Sequence, residues 1–524
     1  MMDHFDEKQE TVRLLVSEEL SPSEESSFDL EQRPQVPDRH KNSIPSLASF
    51  TRLPNYRSAR CKNIANFALR VCIAILPSFI GDRFKNRPQD SPKLRPTAFL
   101  DGMRGVAAWC VFNTHLTSIL AKQLGASWGH DERSYHFLQL PIVQLLYGGL
   151  HSVCLFFVIS GIALSIGPIS KMNKPTINQP SALRSLCSST FRRPFRLFIP
   201  AFASTFLCFV LIRFDTYRLI KEQMVDETII LGWAWDADYP PRMESLWAQL
   251  HDLHTNNMKN LQIFNTYQND NFKNRYNTVL WTIALEFRAS LALFLAHAAL
   301  YFIRRPLRII LIAGLLVMSL LTDSFEMPLF FAGYLVAEFW TTPTSASVLP
   351  TSSTGPLEHR GRRIALQIFS WILLAFGCFT ASMPPYEPWL TPSFAWLEHL
   401  TPLGYNWVYF WIGTGCVLTV IAVGQIPVLV SFFSSAPIRY LGKISFSLYL
   451  VHIWIVRGFG VLIFYRVWSW TGKDNDFITF VGFALSYTTL LGIVVWIADI
   501  FWRVVEQPTV EAAKWVEGKL FRKD

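Results

Sequence analysis

Charge is scarce in this chain. Asp, Glu, Lys and Arg make up 17% of its 524 residues, against about 25% in an ordinary soluble domain. Cysteine is present but unpatterned: none of the eight forms a CxxC, so neither a structural zinc site nor a disulfide framework is expected. The first 60 residues lack an apolar run, so no cleavable signal peptide is expected. No repeat relates the two halves of the chain, which weakens the case for an inverted-repeat transporter. In place of these features the chain has 51% hydrophobic residues, with 42 Phe, 18 Trp and 16 Tyr, and a positive mean hydropathy of +0.24. Its apolar runs are long enough to cross a hydrocarbon core of about 30 Å as helices. Together these exclude a soluble globular enzyme, a disordered chain and a β-barrel, and predict an all-α polytopic membrane helix bundle.

Residues 1–60 read as a disordered cytosolic tail, with ten acids and two bases in the first 31 residues. Residues 61–95 form a basic segment around an apolar stretch at 64–80 that is interrupted by Arg70, which suits a helix lying in the membrane interface. About ten spans are expected within residues 96–510: 105–124, 149–167, 197–212, 279–303, 307–321, 325–340, 364–381, 404–423, 444–466 and 477–501. Lys and Arg concentrate in the short loops that alternate on one side, which holds 14 of them, and this selects an arrangement with both termini inside. The long outer loop at 213–278, with Trp233, Trp235, Pro240, Pro241 and Trp247, is expected to form an ordered cap, either a plain connection or a substrate lid. Residues 511–524 form a charged C-terminal tail. The net charge of +9 is thereby explained by topology, without nucleic acid.

Ionisable residues inside spans are costly and mark candidate sites. Arg104 and His115 lie eleven residues apart on the first span, which puts them on one helix face about 16 Å apart. This arrangement suits an elongated anionic ligand entering from the cytosol, its head at Arg104 and its reactive end at His115. Each residue alone has a plainer reading, a snorkelling arginine and a core histidine, and the shared face favours function. Arg192, Arg193 and Arg196 precede the third span, where planar guanidinium forks could hold a nucleotide phosphate or simply anchor the helix. Glu286 lies about 10 Å into the fourth span. Arg288, two residues on, faces elsewhere and reads as structural. His452 in the ninth span is a weaker candidate, Ser160 reads as a small residue at a helix contact, and Glu506 is expected to pair with a cytosolic arginine at the end of the last helix.

These elements occur in a recognisable order: LDGMRG at 100–105 followed by His115, FFVISG at 156–161, Arg193 and Arg196, the Trp281 to Glu286 segment, FFAGY at 330–334, and RYLGKISFSLYLVH ending at His452. In this order the chain resembles the acyltransferase 3 family of integral-membrane acyltransferases in its fungal-like form, over roughly residues 95–510. It departs from the pattern after Glu286, where Arg288-Ala289 replaces an aromatic pair. The resemblance implies O-acyl transfer, often acetyl, from cytosolic acyl-CoA to a hydroxyl of a small natural product, lipid or glycan, with no metal. It also implies His115 as catalytic base with Arg104 as its motif partner, Glu286 as an active-site carboxylate, and Arg193 and Arg196, with Arg192 beside them, serving the acyl-CoA. The expected location is an endomembrane, such as the endoplasmic reticulum, or the plasma membrane. The alternative is a proton-coupled transporter or a lipid-binding membrane protein that uses the same buried groups without acyl transfer.

Overall fold

The computed structural model describes residues 76–78, 95–173, 179–223, 240–264, 273–322, 324–341, 360–385, 387–402 and 406–521. The chain divides into two units, Met1–Leu69 and Arg70–Asp524, and the described residues belong to the second. The acidic tail and most of the 61–95 segment lie outside them, as do Trp233 and Trp235. Within the basic segment, Ser78 donates from both its backbone N–H and its hydroxyl to the two carboxylate oxygens of Asp499 (2.9 and 2.7 Å).

No strand occurs among the described residues. In chain order the helices are α1 (Ala98–Leu120), α2 (Gly149–Met172), α3 (Gln179–Arg213), α4 (Thr216–Glu222), α5 (Leu246–Lys259), α6 (Trp281–Ala299), α7 (Arg305–Leu320) and α8 (Glu326–Trp340). They continue with α9 (Arg360–Ala381), α10 (Trp407–Gln425), α11 (Pro427–Phe433), α12 (Ala436–Ile455), α13 (Val461–Thr471), α14 (Asp476–Phe501) and α15 (Gln507–Leu520). Among the described residues, seven helical stretches are long and apolar enough to cross a membrane. They coincide with seven of the ten expected spans. The other three are helices that fall short for identifiable reasons. α7 and α8 have 16 and 15 residues, about 24 and 22 Å of rise. α1 is longer but carries Asp101, Arg104, Asn113 and His115. On α9, Ile364, Ile368 and Ile372 point outward at a spacing of four, a stripe that hydrocarbon can cover.

The last helix does not stop at Glu506. A π turn, Trp502–Glu506, joins α14 to α15. Pro508 directly follows this π turn, where the widened turn accommodates a residue that has no N–H to continue the ladder.

α1 and α12 pack backbone to backbone, and they run parallel. Gly105 meets the backbone of Gly442, so a methyl group on either would overlap the other helix. Ten residues further along each helix, His115 meets His452. A second small-residue contact, Gly161 against Gly333 and Phe330, seats α2 on α8. Two apolar clusters result. One gathers α1, α3, α12 and α14, and the other gathers α2, α8 and α10.

The described residues of the 213–278 loop include α5. Ser245 caps that helix by accepting from Ala248 N–H (3.0 Å), and Tyr276 donates to Asp252 (2.8 Å). Asn277 donates to Ser204 and to the Leu450 carbonyl (both 2.8 Å), which ties this cap to α3 and α12.

Candidate active site

A cavity of about 260 Å³ opens at the seam between the two apolar clusters. Val153 and Phe157 line it from one side, Leu197 and Ile283 from the other. Into it the fold brings Arg104 from α1, Arg193 and Arg196 from α3, Glu286 from α6 and Glu506 from the π turn. Three guanidinium groups thus face two carboxylates, an excess of positive charge in a largely apolar setting.

Three of these charges, Arg193, Glu286 and Glu506, are held by specific contacts. Arg193 pairs with Glu286 through Nη2, and its Nε donates to the Ser290 hydroxyl at 3.1 Å. Glu286 and Ser290 lie four residues apart, hence on one face of α6, so a single guanidinium bridges both. Ser160 lies within hydrogen-bonding reach of Glu286, and the Ser447 hydroxyl donates to Glu506 at 2.6 Å. Arg104 Nε is buried without a hydrogen-bond partner. A cationic fork with an unsatisfied donor, in a cavity with positive excess, can receive an anionic oxygen.

Arg192 is placed differently. Its Nε meets Glu517 of α15 at 3.1 Å and the Ser188 carbonyl at 3.3 Å, and it does not line the cavity. Arg288 pairs with Glu326, which is wholly buried, and so serves the α6–α8 contact. Glu506, expected to pair with an arginine, is instead bonded to Ser447, with Arg104 and Arg196 close enough to act on it electrostatically.

His115 lies beyond the cavity wall. Phe446 and Tyr449 of α12 line the cavity, and Tyr449 packs edge to face on Phe156 (centroids 5.9 Å apart). The Tyr449 hydroxyl donates to the Val279 carbonyl (2.9 Å) and meets the Thr282 hydroxyl (2.8 Å). Three residues further along α12, His452 packs against Tyr449 (5.9 Å) and against His115 (5.2 Å). The row Phe446, Tyr449, His452 thus leads along one helix face from the cavity to His115. His452 Nδ1 lies 3.1 Å from the Leu448 carbonyl, which can only accept, so in the neutral ring the proton is on Nδ1 and Nε2 presents a lone pair. That Nε2 is buried without a hydrogen-bond partner.

The end of α1 that carries His115 is fixed from two directions. Trp109 donates to the Tyr487 hydroxyl (2.8 Å), which donates to Asn113 (2.9 Å), and Thr114 donates to the Tyr147 carbonyl (2.7 Å). On the far side of the histidines, a second π turn, Val456–Gly460, carries Arg457, whose charge acts on both rings. π turns of this kind are frequent at functional sites.

Sequence reasoning singled out Arg104, Arg193, Arg196 and Glu286, and the fold brings them into one cavity. It gave less weight to Ser160, Glu506 and His452, and it missed Tyr449 and Thr282, whose side-chain types are ordinary in a core.

Comparison with known proteins adds an independent line. A family model described as "Acyltransferase domain" matches residues 97–503. Acyltransferase clz18 of Cochliobolus lunatus is 31% identical over 452 residues, covering 80% of this chain and 95% of its own. Acyltransferase R4 of a Phoma species is 31% identical over 459 residues, covering 81% and 96%. O-acetyltransferase PaAT-1 of Phomopsis amygdali is 26% identical over 465 residues, covering 84% and 88%. No solved structure matches.

Proposed function

The chain belongs to this acyltransferase family, and on that premise we propose that it moves an acyl group, most simply acetyl, from acyl-CoA to a hydroxyl of a small natural product, lipid or glycan. The observation that carries the reading is the convergence of Arg104, Arg193 and Arg196 in a cavity from which one face of α12 leads to the His115–His452 pair. The arginines suit the phosphates of a coenzyme A donor. The rise of about 16 Å between Arg104 and His115 suits a donor whose anionic end and thioester are far apart. The name of one relative, an O-acetyltransferase, favours acetyl as the group moved. In the topology proposed, ten helices cross an endomembrane or plasma membrane, both termini are cytosolic, and the arginines face the cytosolic donor.

In the reaction, a neutral His115 takes the proton of the acceptor hydroxyl as its oxygen bonds to the thioester carbonyl carbon. The tetrahedral centre then collapses, the C–S bond breaks, and the thiolate leaves and takes a proton back from the imidazolium. Such general-base help is worth about 10²–10⁴-fold in rate. His452, its proton held on Nδ1, presents an Nε2 lone pair that can fix the orientation of His115 or of the acceptor hydroxyl. The apolar surroundings limit competing hydrolysis of the thioester.

The test has two parts. Acyl-CoA should raise the melting temperature of the purified protein, and Arg193→Ala/Arg196→Ala should abolish that rise. Metabolites of cells with and without the protein, compared by mass spectrometry, should differ by an acyl group. A protein that transports a solute with no acyl-CoA turnover and no acyl-CoA stabilisation would refute the proposal.

A further inference from the structure

A second cavity, of about 920 Å³, lies where α1 begins, between the adjoining ends of α2, α6, α7 and α8. It shares no lining residue with the cavity described above. Four arginines contribute to it: Arg95, Arg304, Arg305 and Arg308. One carboxylate, Glu338, serves two of them, accepting from Arg308 Nε at 2.5 Å and meeting Arg305 Nε at 3.3 Å. Arg308 also donates to Asn173 at 2.7 Å and is buried, so it builds the floor. Arg95 is largely exposed and only loosely placed near Asp101, at 3.9 Å, and Arg304 is exposed. Tyr301, whose hydroxyl is buried without a hydrogen-bond partner, lines the same space. The remaining wall is apolar, with Phe99, Ile303 and Trp340, and it reaches the outer surface at Phe302, which is 71% exposed.

Excess guanidinium charge, an unsatisfied hydroxyl donor and an apolar wall that continues onto the lipid-facing surface describe one kind of ligand. We propose that this cavity binds an anionic phosphate ester, the headgroup of a membrane phospholipid, at Arg95, Arg304 and Tyr301, with its chains against Phe302, Ile303 and Trp340. Basic pockets between membrane helices near the interface recognise such headgroups through charge-assisted hydrogen bonds. The same phosphate chemistry could be supplied by a soluble nucleotide, and the two sources are separable by experiment.

The experiment uses the full-length protein in detergent and native mass spectrometry, with dioleoyl phosphatidic acid, dioleoyl phosphatidylcholine and coenzyme A as probes. The unmodified protein should hold phosphatidic acid roughly tenfold more tightly than phosphatidylcholine, as a single charge-assisted bond allows. Arg95→Ala/Arg304→Ala should lose that preference. Arg95→Lys/Arg304→Lys should retain part of it, since the charge survives while the planar fork does not. If coenzyme A alone binds with the same dependence on Arg95 and Arg304, the phosphate site stands and its source is a nucleotide. Equal retention of the two lipids, together with coenzyme A binding that ignores both arginines, would overturn the proposal.

Discussion

The Arg193–Glu286 pair permits a quantitative separation of scaffold from donor binding. Their side chains are 15% and 12% exposed. Arg193→Met leaves Glu286 as a buried carboxylate without its partner, a loss of about 3–5 kcal/mol. Arg104 lines the same cavity and compensates part of this charge, which places the expected loss toward about 3 kcal/mol. The bond from Arg193 Nε to Ser290 adds about 1 kcal/mol. Glu286→Gln combined with Arg193→Met removes both charges at once, so the double variant should recover most of that loss, leaving a deficit of about 1–2 kcal/mol from the lost hydrogen bonds. Donor binding should behave differently. A charge-assisted hydrogen bond to phosphate is worth about 1.5–3 kcal/mol, so the double variant should still bind acyl-CoA at least roughly tenfold more weakly. The assay is thermal melting of the purified protein in detergent, without donor and across a donor titration. Two results would refute the reasoning. A double variant as unstable as Arg193→Met alone would mean that an uncompensated charge is not what is lost. A double variant that regains the full acyl-CoA response would mean that Arg193 serves the scaffold only.

Other perturbations follow from the same geometry. His115→Ala should lower the rate of acyl transfer by about 10²–10⁴-fold while the protein still inserts and melts normally; full activity in the purified variant would end its assignment as base. His452→Phe keeps an aromatic ring against His115 but removes the Nε2 lone pair, so kcat should fall with little change in donor KM, and an equal fall in donor affinity would contradict its place beyond the cavity. Arg288→Ala strands Glu326 in the core and should cost about 3–5 kcal/mol in stability, with any surviving folded protein retaining its affinity for acyl-CoA. Gly105→Leu forces α1 off the Gly442 backbone, and the check is loss of the folded monodisperse peak on size-exclusion chromatography.

The helices were legible because an apolar run of span length admits few other outcomes in lipid. The three expected spans that fall short do so for two reasons, the polar residues of α1 and the 16- and 15-residue lengths of α7 and α8. The charged half of the site was legible for the opposite reason: Arg104, Arg193, Arg196 and Glu286 are conspicuous in apolar sequence. What joins them was not. Arg288 finds Glu326 across 38 residues, and Arg192 is taken by Glu517 at the far end of the chain. No local spacing encodes either partner. Tyr449 and Thr282 shape the cavity wall through side chains that any packed helix could carry. The pairing of His115 with His452 depends on the parallel register of α1 and α12, which Gly105 and Gly442 hint at only once the two helices are known to meet.

That register also orders events during synthesis. α1 is among the first helices to leave the ribosome, and α12 follows more than 300 residues later. At translation rates of about 5–20 residues per second, His115 waits tens of seconds for its aromatic neighbour. Arg104 meanwhile waits for Glu506, which is made later still. A nascent chain stopped before residue 436 can insert several helices, yet it lacks one wall of the cavity and half of the histidine pair. Activity should therefore appear all at once, on completion of the chain. Fragments ending between α8 and α11 should be inert alone and regain function only when co-expressed with the missing C-terminal piece.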